Sequence, residues 1–311
     1  MASAAATHYQ MRIFNEVEND AFADPRMAEE LARVKQNLAT VKTVIAVAGA
    51  KGGVGKSAIT VNVGAALALG GRKVGILDAD LNCPSVLAML GMKRPPKTLL
   101  GGEGLEPWSG PLGLRIAASG MIVEGDAPPI SFVEEEPVVP AANGNKPVEL
   151  GYTDALRRLL GHTRFGTLDL LLIDLAPGLD RLHQLAGLVA LSGILLVSQP
   201  SELAVRALRN ALKLAAEIHS SVLGIVENMA GFSCGGCHSV RPLMPHGDMA
   251  NFARESGLPI LGRLPFDTRL AEACDDGTLF VRDYADSPLA KQLNEIARAL
   301  DMVPAAQSPL S

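Results

Sequence analysis

The feature that most constrains how this chain can fold is the glycine-rich run Lys-Gly-Gly-Val-Gly-Lys-Ser at residues 51–57. The run follows an apolar stretch at residues 43–48, typical of a buried strand, and precedes an alanine-rich segment with a helical pattern. Glycines allow consecutive backbone N–H groups to turn toward one anion, and the positive end of the following helix adds to the attraction. A strand, a glycine loop and a helix in this order therefore predict a phosphate-binding loop.

Each part of this loop has an expected task in holding ATP. Lys56 is expected to reach the outer phosphates, and the hydroxyl of Ser57 is expected to bind Mg²⁺. The strict motif has glycine where this chain has Ala50, and a second lysine, Lys51, follows that position. We predict that the nucleotide is bound by the loop and the first helical turn, namely Gly52, Gly53, Val54, Gly55, Lys56, Ser57 and Ala58.

The composition excludes several classes of partner. The chain has 311 residues, of which 48% are hydrophobic, so it can bury the full core of one large α/β domain. Its net charge is -5 and it has no block of Lys or Arg, so we expect no nucleic-acid partner. Because no apolar run approaches the ~20 residues that span a bilayer and the N-terminus lacks the pattern of a secretory signal, we expect a cytoplasmic protein without membrane contact.

Strand-like apolar runs recur along the chain with helical patterns between them. They lie at residues 44–48, 74–77, 168–173, 194–198, 222–226 and 259–264. This alternation predicts an α/β fold with a doubly wound, mostly parallel sheet and helices on both faces. We expect a helical extension at residues 1–40, one domain at 41–302 and a flexible tail at 303–311. Residues 93–150, rich in Pro, Gly and Glu, are interpreted as an irregular insertion with one strand at 114–117.

Carboxylates follow two of these predicted strands. Asp78 and Asp80 end the run at residues 74–77, and Asp174 ends the run at 168–173. Parallel sheets bind ligands at the carboxyl ends of their strands, so these residues are expected beside the glycine loop. Phosphoryl transfer depends mainly on positioning and charge neutralisation, and Asp174 is expected to hold a water bound to Mg²⁺.

The four cysteines are too few and too unevenly spaced for a disulfide scaffold. Cys234 and Cys237 form a Cys-x-x-Cys pair, which suits a metal. One possibility is a structural zinc, held either by four such thiolates from two chains or by this pair with His238 or His246. Cys83 and Cys274 are interpreted as small buried residues, and a sensor of nucleotide or redox state is the alternative for Cys83.

Several further motifs occur in a fixed order. They are Asp78-Ala79-Asp80 with Pro84-Ser85, Asp174 with Pro177-Gly178, the segments at residues 197–200 and 224–229, and the cysteine pair followed by His246-Gly247. Together with the glycine loop they resemble the Mrp/ApbC-type iron-sulfur cluster carrier ATPases, which belong to the MinD/ParA-like P-loop group with a deviant Walker A motif. The resemblance covers about residues 41–300 and is poor over 93–150.

The resemblance implies a homodimer with one ATP site per subunit, a [4Fe-4S] cluster held between subunits by Cys234 and Cys237 within a loop at 232–247, and transfer of that cluster to apo iron-sulfur proteins. Two chains would supply the four thiolates that such a cluster needs. In this family Lys51 would act on the opposite subunit, Asp80 would orient the attacking water and Asn228 would recognise adenine. A strand-end turn cap is the competing interpretation of Asn228.

Two departures and one alternative function remain. Relatives usually carry Pro-Pro-Gly-Thr-Gly-Asp after the aspartate equivalent to Asp174, whereas residues 176–180 read Ala-Pro-Gly-Leu-Asp, so ATP hydrolysis is expected to be slow or altered. The Trp-Arg-Gly-Pro segment of relatives is also absent. A spatial-regulation ATPase of the MinD or ParA type is the alternative, but the apolar stripe at residues 288–300 lacks the cationic face that anionic lipids attract.

Overall fold

The computed structural model describes residues 25–49, 51–92, 104–121, 131–133, 149–233, 239–243 and 248–305. Most of these residues build one nine-stranded sheet with helices packed against it. The strands of the chain are β1 Val41–Ala48, β2 Val74–Ala79, β3 Trp108–Ser109, β4 Arg115–Ala117, β5 Ser131–Val133, β6 Glu149–Gly151, β7 Leu168–Leu175, β8 Gly193–Ser198, β9 Val222–Ser233, β10 Val240–Arg241 and β11 Ile260–Phe266.

The main sheet has the strand order β10-β9-β8-β1-β7-β2-β4-β3, and β11 pairs with β9. Its pairs are parallel except β3 with β4 and β10 with β9. β5 and β6 form a separate parallel pair. Parallel strands covered on both faces read as continuous apolar runs, and β2 and β8 are buried along their whole length. The predicted α/β fold with a mostly parallel sheet is confirmed.

The helices among the described residues are α1 Pro25–Leu38, α2 Lys56–Leu69, α3 Val86–Met89, α4 Tyr152–His162, α5 Asp180–Ala186, α6 Glu202–Glu217, α7 Met249–Ser256, α8 Thr268–Asp276, α9 Phe280–Asp283 and α10 Pro288–Asp301. Four of them begin at a side chain that accepts a backbone N–H, a common device for starting a helix, and these caps are Ser201, Asp248, Asp267 and Ser287. Within the described part of the chain, no helix is both long and apolar enough to cross a membrane.

The centre of the sheet brings three strand ends to one edge. β1 lies between β7 and β8, and β2 lies on the other side of β7. The register pairs Asp78 of β2 with Asp174 of β7, and Val47 of β1 with the same Asp174. The loop after β1 and the carboxylates near the carboxyl ends of β2 and β7 therefore lie together, as the sequence predicted.

α1 lies within the helical extension expected at residues 1–40 and packs on α4, while residues 1–24 lie outside the described residues. The buried guanidinium of Arg157 donates to Glu30 at 2.6 Å and to Asp154. The amide of Asn37 donates to the carbonyl of Gly161 at 2.7 Å. The bonds of Arg157 to Glu30 and of Asn37 to Gly161 connect α1 to α4.

The expectation of a single strand within residues 93–150 was wrong. The described parts of that region contain β3, β4, β5 and the start of β6, and β4 extends the main sheet beside β2. Strands of two or three residues are too short to produce the alternation on which a sequence prediction depends. The remaining residues of the region, 93–103, 122–130 and 134–148, lie outside the described residues.

Candidate nucleotide site

The glycine loop connects β1 to α2 and leaves the N-terminus of α2 without a side-chain cap, so that an anion can bind there. Gly53 and Gly55 have φ values of 71° and 87°, the left-handed region that side chains disfavour. Gly55 is the N-cap of α2, no side chain caps the helix, and its first turn holds no acidic residue. The N–H groups of that turn therefore face the loop without a side-chain acceptor, and the positive end of the helix dipole lies there too. Ala50 lies outside the described residues.

Two amide side chains from neighbouring strands fix the loop. Asn228 of β9 donates its Nδ2–H to the carbonyl of Val54 at 2.8 Å, and both residues are buried. Gln199, directly after β8, donates to the carbonyl of Gly53 at 3.3 Å. Asn228 lies inside β9 rather than at its end, so the turn-cap interpretation is wrong. Gln199 received no role in the sequence analysis, although it belongs to the motif at residues 197–200.

Asp174 is a fully buried acid of the site. Its Oδ1 accepts from the Thr60 hydroxyl at 3.1 Å, and its Oδ2 has no hydrogen-bond partner among the described residues. Burial raises the pKa of Asp174 to about 6, although the Ser57 hydroxyl and the Lys56 ammonium both act to lower it. A buried carboxylate oxygen without a partner is costly unless a ligand satisfies it.

Lys56 lies beside this carboxylate at the start of α2 and is 6% exposed. Burial lowers the pKa of Lys56, whereas the negative charges of Asp174 and Asp80 act to raise it. A lysine held between a helix N-terminus and two carboxylates is a suitable counter-charge for phosphate groups.

These residues fit Mg²⁺, which the motif implies. Mg²⁺ prefers oxygen ligands and keeps several waters when one or two protein groups hold it. The Ser57 hydroxyl and the unpartnered Oδ2 of Asp174 supply oxygens on one side of the loop. Oxygen donors of the kind that Mg²⁺ prefers are therefore present beside the loop.

Asp78 organises the loop that carries Asp80. Its Oδ2 accepts the backbone N–H groups of Ser85 and Val86 at 2.8 and 3.0 Å, and its Oδ1 accepts that of Asp80 at 3.1 Å. Burial raises the pKa of Asp78 to about 7 in spite of these three bonds, and the charge of Asp174 contributes to the rise. The side chain of Asp80 accepts the backbone N–H of Cys83 at 3.2 Å and is only partly buried.

The two isolated cysteines differ in exposure. Cys83 is exposed, so the expectation of a buried residue was wrong. It lies in the turn after β2, where the Asp80 side chain holds its backbone N–H, and the turn leaves the sheet instead of entering the core. Cys274 in α8 is partly buried, and burial raises the pKa of its thiol to about 11.

The remaining predicted residues have different positions. Lys51 and Ser57 are partly exposed, Gly52 is exposed near Pro177, and Ala58 lies in the first turn of α2. Cys234, Cys237, His238 and His246 lie outside the described residues. Beside the cysteine pair, Ser233 of β9 pairs with Val240 of β10 in an antiparallel ladder. Within the described ranges, no group of three or more His, Cys, Asp or Glu side chains could hold a metal ion.

Comparisons with known proteins identify the family of this chain. The model of the ParA family described as "NUBPL iron-transfer P-loop NTPase" matches residues 40–301. The iron-sulfur cluster carrier protein of Methanocaldococcus jannaschii is 32% identical over 276 residues, which are 88% of this chain and 89% of that protein.

Solved structures show the same fold. A nucleotide-binding protein from Archaeoglobus fulgidus in complex with ADP is 31% identical, with a TM-score of 0.67 over 84% of this chain and 95% of that chain. The cell division ATPase MinD of Pyrococcus furiosus has a TM-score of 0.57 at 19% identity, covering 84% of this chain and 98% of its own. With a family match over most of its length and the phosphate-binding loop at the expected strand end, the chain belongs to the NUBPL iron-transfer P-loop NTPase family.

Proposed function

We propose that this protein is an ATP-dependent iron-sulfur cluster carrier. It binds a [4Fe-4S] cluster at the interface of a homodimer and transfers it to apo iron-sulfur proteins, while ATP binding and hydrolysis switch the dimer. The observation that carries the nucleotide part is the buried Asp174 oxygen without a partner, beside the uncapped N-terminus of α2. The family and the name of the M. jannaschii relative support the carrier part.

Each residue of the proposed ATP site has its own role. Backbone N–H groups of residues 52–58 bind the phosphates, and Lys56 neutralises charge on the transferring group. Ser57 and, through a water, Asp174 would hold Mg²⁺, which would offset the negative charge of the phosphates. Asp80 orients the attacking water.

Two further residues are proposed to contact parts of the nucleotides other than the phosphates of their own subunit's ATP. Lys51 reaches the nucleotide of the partner subunit, and its partly exposed position in the loop is compatible with that task. Asn228 holds the loop through Val54 and borders the adenine. Because residues 176–180 depart from the usual switch sequence, we expect slow hydrolysis.

The cluster is the cargo of this reaction. One Cys-x-x-Cys supplies two thiolates, so the pair in each of two chains completes the four that a [4Fe-4S] cluster needs. This stoichiometry makes the dimer a requirement of cluster binding. The recipients are apo iron-sulfur proteins, and we place the reaction in the cytoplasm, without a nucleic acid or a membrane as partner.

Anaerobic reconstitution with iron and sulfide tests this proposal. We expect a brown dimer with about one cluster per two chains, and Cys234→Ala or Cys237→Ala should abolish it. Cys83→Ala and Cys274→Ala are matched controls that should keep the cluster, since they remove thiols outside the pair. Release of the cluster to an apo ferredoxin should depend on ATP. A colourless protein containing zinc would reject the proposal in favour of a structural zinc site.

The alternative of a spatial regulator receives less support. The likeness to MinD concerns the fold at 19% identity. The apolar stripe of α10, which could have faced a lipid surface, is buried and packs on α2 and β11, and its residues are Leu289, Leu293, Ile296 and Leu300. Co-sedimentation of the protein with anionic liposomes in the presence of ATP would support this alternative.

A further inference from the structure

One buried tyrosine connects the two loops that carry the carboxylates of the site. Tyr152, the first residue of α4, is 3% exposed, and its hydroxyl donates to the carbonyl of Ala79 at 2.9 Å. Ala79 is the last residue of β2 and lies between Asp78 and Asp80. The hydroxyl thus holds the backbone at the point where the chain turns from the strand into the Asp80 loop.

A buried arginine from the other loop covers this tyrosine. The guanidinium of Arg181 lies 4.1 Å from the centre of the Tyr152 ring, and Arg181 is 7% exposed. Arg181 belongs to the first turn of α5, directly after the 176–180 segment that departs from the usual switch sequence. Its head group also donates to Gln184 at 3.1 Å and lies 3.6 Å from Asp180. Stacking of a desolvated guanidinium on an aromatic ring is attractive and restricts both side chains.

The helix that carries Tyr152 is itself fixed. α4 packs on α1, and Arg157 pairs with Glu30 at 2.6 Å while it is almost fully buried. The opposite side of the Asp80 loop is held by Asp78 through three backbone N–H groups. The loop is therefore supported from two directions, by a carboxylate of its own strand and by a hydroxyl from α4.

We propose that Tyr152 and Arg181 form a latch between the Asp80 loop and the segment after Asp174, and that Tyr152 is a positioning residue for Asp80. This inference rests on the proposed ATP hydrolysis. The Tyr152 hydroxyl touches the peptide that precedes Asp80 and acts through that peptide. Small displacements of a group that orients a reactant reduce rates strongly. The loss of one hydrogen bond to a buried carbonyl lowers the stability of a large domain but leaves it folded.

The test is Tyr152→Phe, which keeps the ring and its stacking and removes one hydroxyl. We expect kcat for ATP hydrolysis to fall about tenfold while KM for ATP stays close to that of the wild type. The melting temperature should fall by only a few degrees, because one buried carbonyl loses its donor. Tyr284→Phe is the matched control, because the Tyr284 ring also lies under an arginine, Arg269 at 5.3 Å, but is 36% exposed outside the site. An unchanged kcat in Tyr152→Phe would overturn the proposal.

Hydrogen exchange gives a readout that does not depend on hydrolysis. In the nucleotide-free protein, Tyr152→Phe should accelerate exchange of the backbone amides of residues 80–86, and Tyr284→Phe should not. Arg181→Met should produce the same acceleration, and the double variant should add little to it, because both changes open one latch. Unchanged exchange in either single variant, or full additivity, would refute the latch. A wild-type protein that hydrolyses no ATP would instead refute the proposed function.

Discussion

Gly55→Ala tests whether the loop is held in place by Asn228. Gly55 has a φ of 87°, and a Cβ at this position would collide with the Nδ2 of Asn228, which donates to Val54. Gly71, at the end of α2, offers a matched control. Its φ is 86°, and a Cβ there would meet nothing within 4 Å. The two substitutions thus share the backbone strain and differ in the collision.

The expected loss in the free energy of unfolding follows from the backbone strain and the collision. An alanine in the left-handed region destabilises the folded state by about 1–2 kcal/mol. Alanine also reduces the conformational entropy of the unfolded chain, which stabilises the protein by about 0.4–1 kcal/mol. Gly71→Ala should therefore reduce the free energy of unfolding by about 1 kcal/mol. In Gly55→Ala the Asn228 amide must also leave the buried Val54 carbonyl, which adds about 1–3 kcal/mol. The total for Gly55→Ala is about 2–4 kcal/mol.

Urea unfolding of nucleotide-free protein, followed by circular dichroism, measures these differences. Asn228→Ala alone should cost about 1–3 kcal/mol, because it removes the same bond. Gly55→Ala combined with Asn228→Ala should be no less stable than Gly55→Ala, since the obstacle is gone and the bond is already lost. Equal costs for Gly55→Ala and Gly71→Ala, or an additive double variant, would refute the reasoning.

Three further outcomes are expected. Lys56→Ala should lower ATP turnover about 100-fold or more, because it removes the cation that we propose neutralises the phosphates. Lys213→Ala, at an exposed position of α6, should leave a coupled phosphate-release assay unchanged. The pKa of Asp78 is raised from 3.8 to about 7, so folding takes up a proton, and the stability this provides below about pH 4 is lost as the pH rises through 7. In thermal melts recorded between pH 4 and 7, Asp78→Asn should make stability fall less steeply with pH. Burial lowers the pKa of His162, so this residue changes stability with pH in the opposite direction. An unchanged slope of stability against pH in Asp78→Asn would contradict the role given to Asp78. Ser287→Ala removes the cap of α10, which accepts from Ala290 at 3.1 Å, and should cost about 1 kcal/mol in urea unfolding.

Much of the fold and the nucleotide site was predictable because local pattern dictates it. The apolar runs of β1, β2, β7 and β8 predict buried parallel strands. The predicted first residues of these strands differ from the observed ones by at most three positions. Asp78 and Asp174 follow such runs, and parallel strands end at one edge of a sheet, so their proximity followed from the sequence. The short strands β3 and β5 carry no comparable signal.

Contacts between distant parts of the chain were not predictable. The partner of Asn228 is a carbonyl 174 positions earlier, and that of Tyr152 is one 73 positions earlier. No residue type or spacing encodes either pairing. The exposure of Cys83 likewise depends on the direction in which the turn after β2 leaves the sheet.

The sequence by itself determined the order of strands and helices, the position of the phosphate-binding loop and the kinds of side chain beside it, because periodicity and glycine chemistry act over a few residues. Only the tertiary structure decided which side chains hold the loop, which carboxylate oxygen is left without a partner, and that Tyr152 and Arg181 connect the two loops. Those features depend on which strands become neighbours and how deeply each group is buried, and burial is a property of the packed molecule.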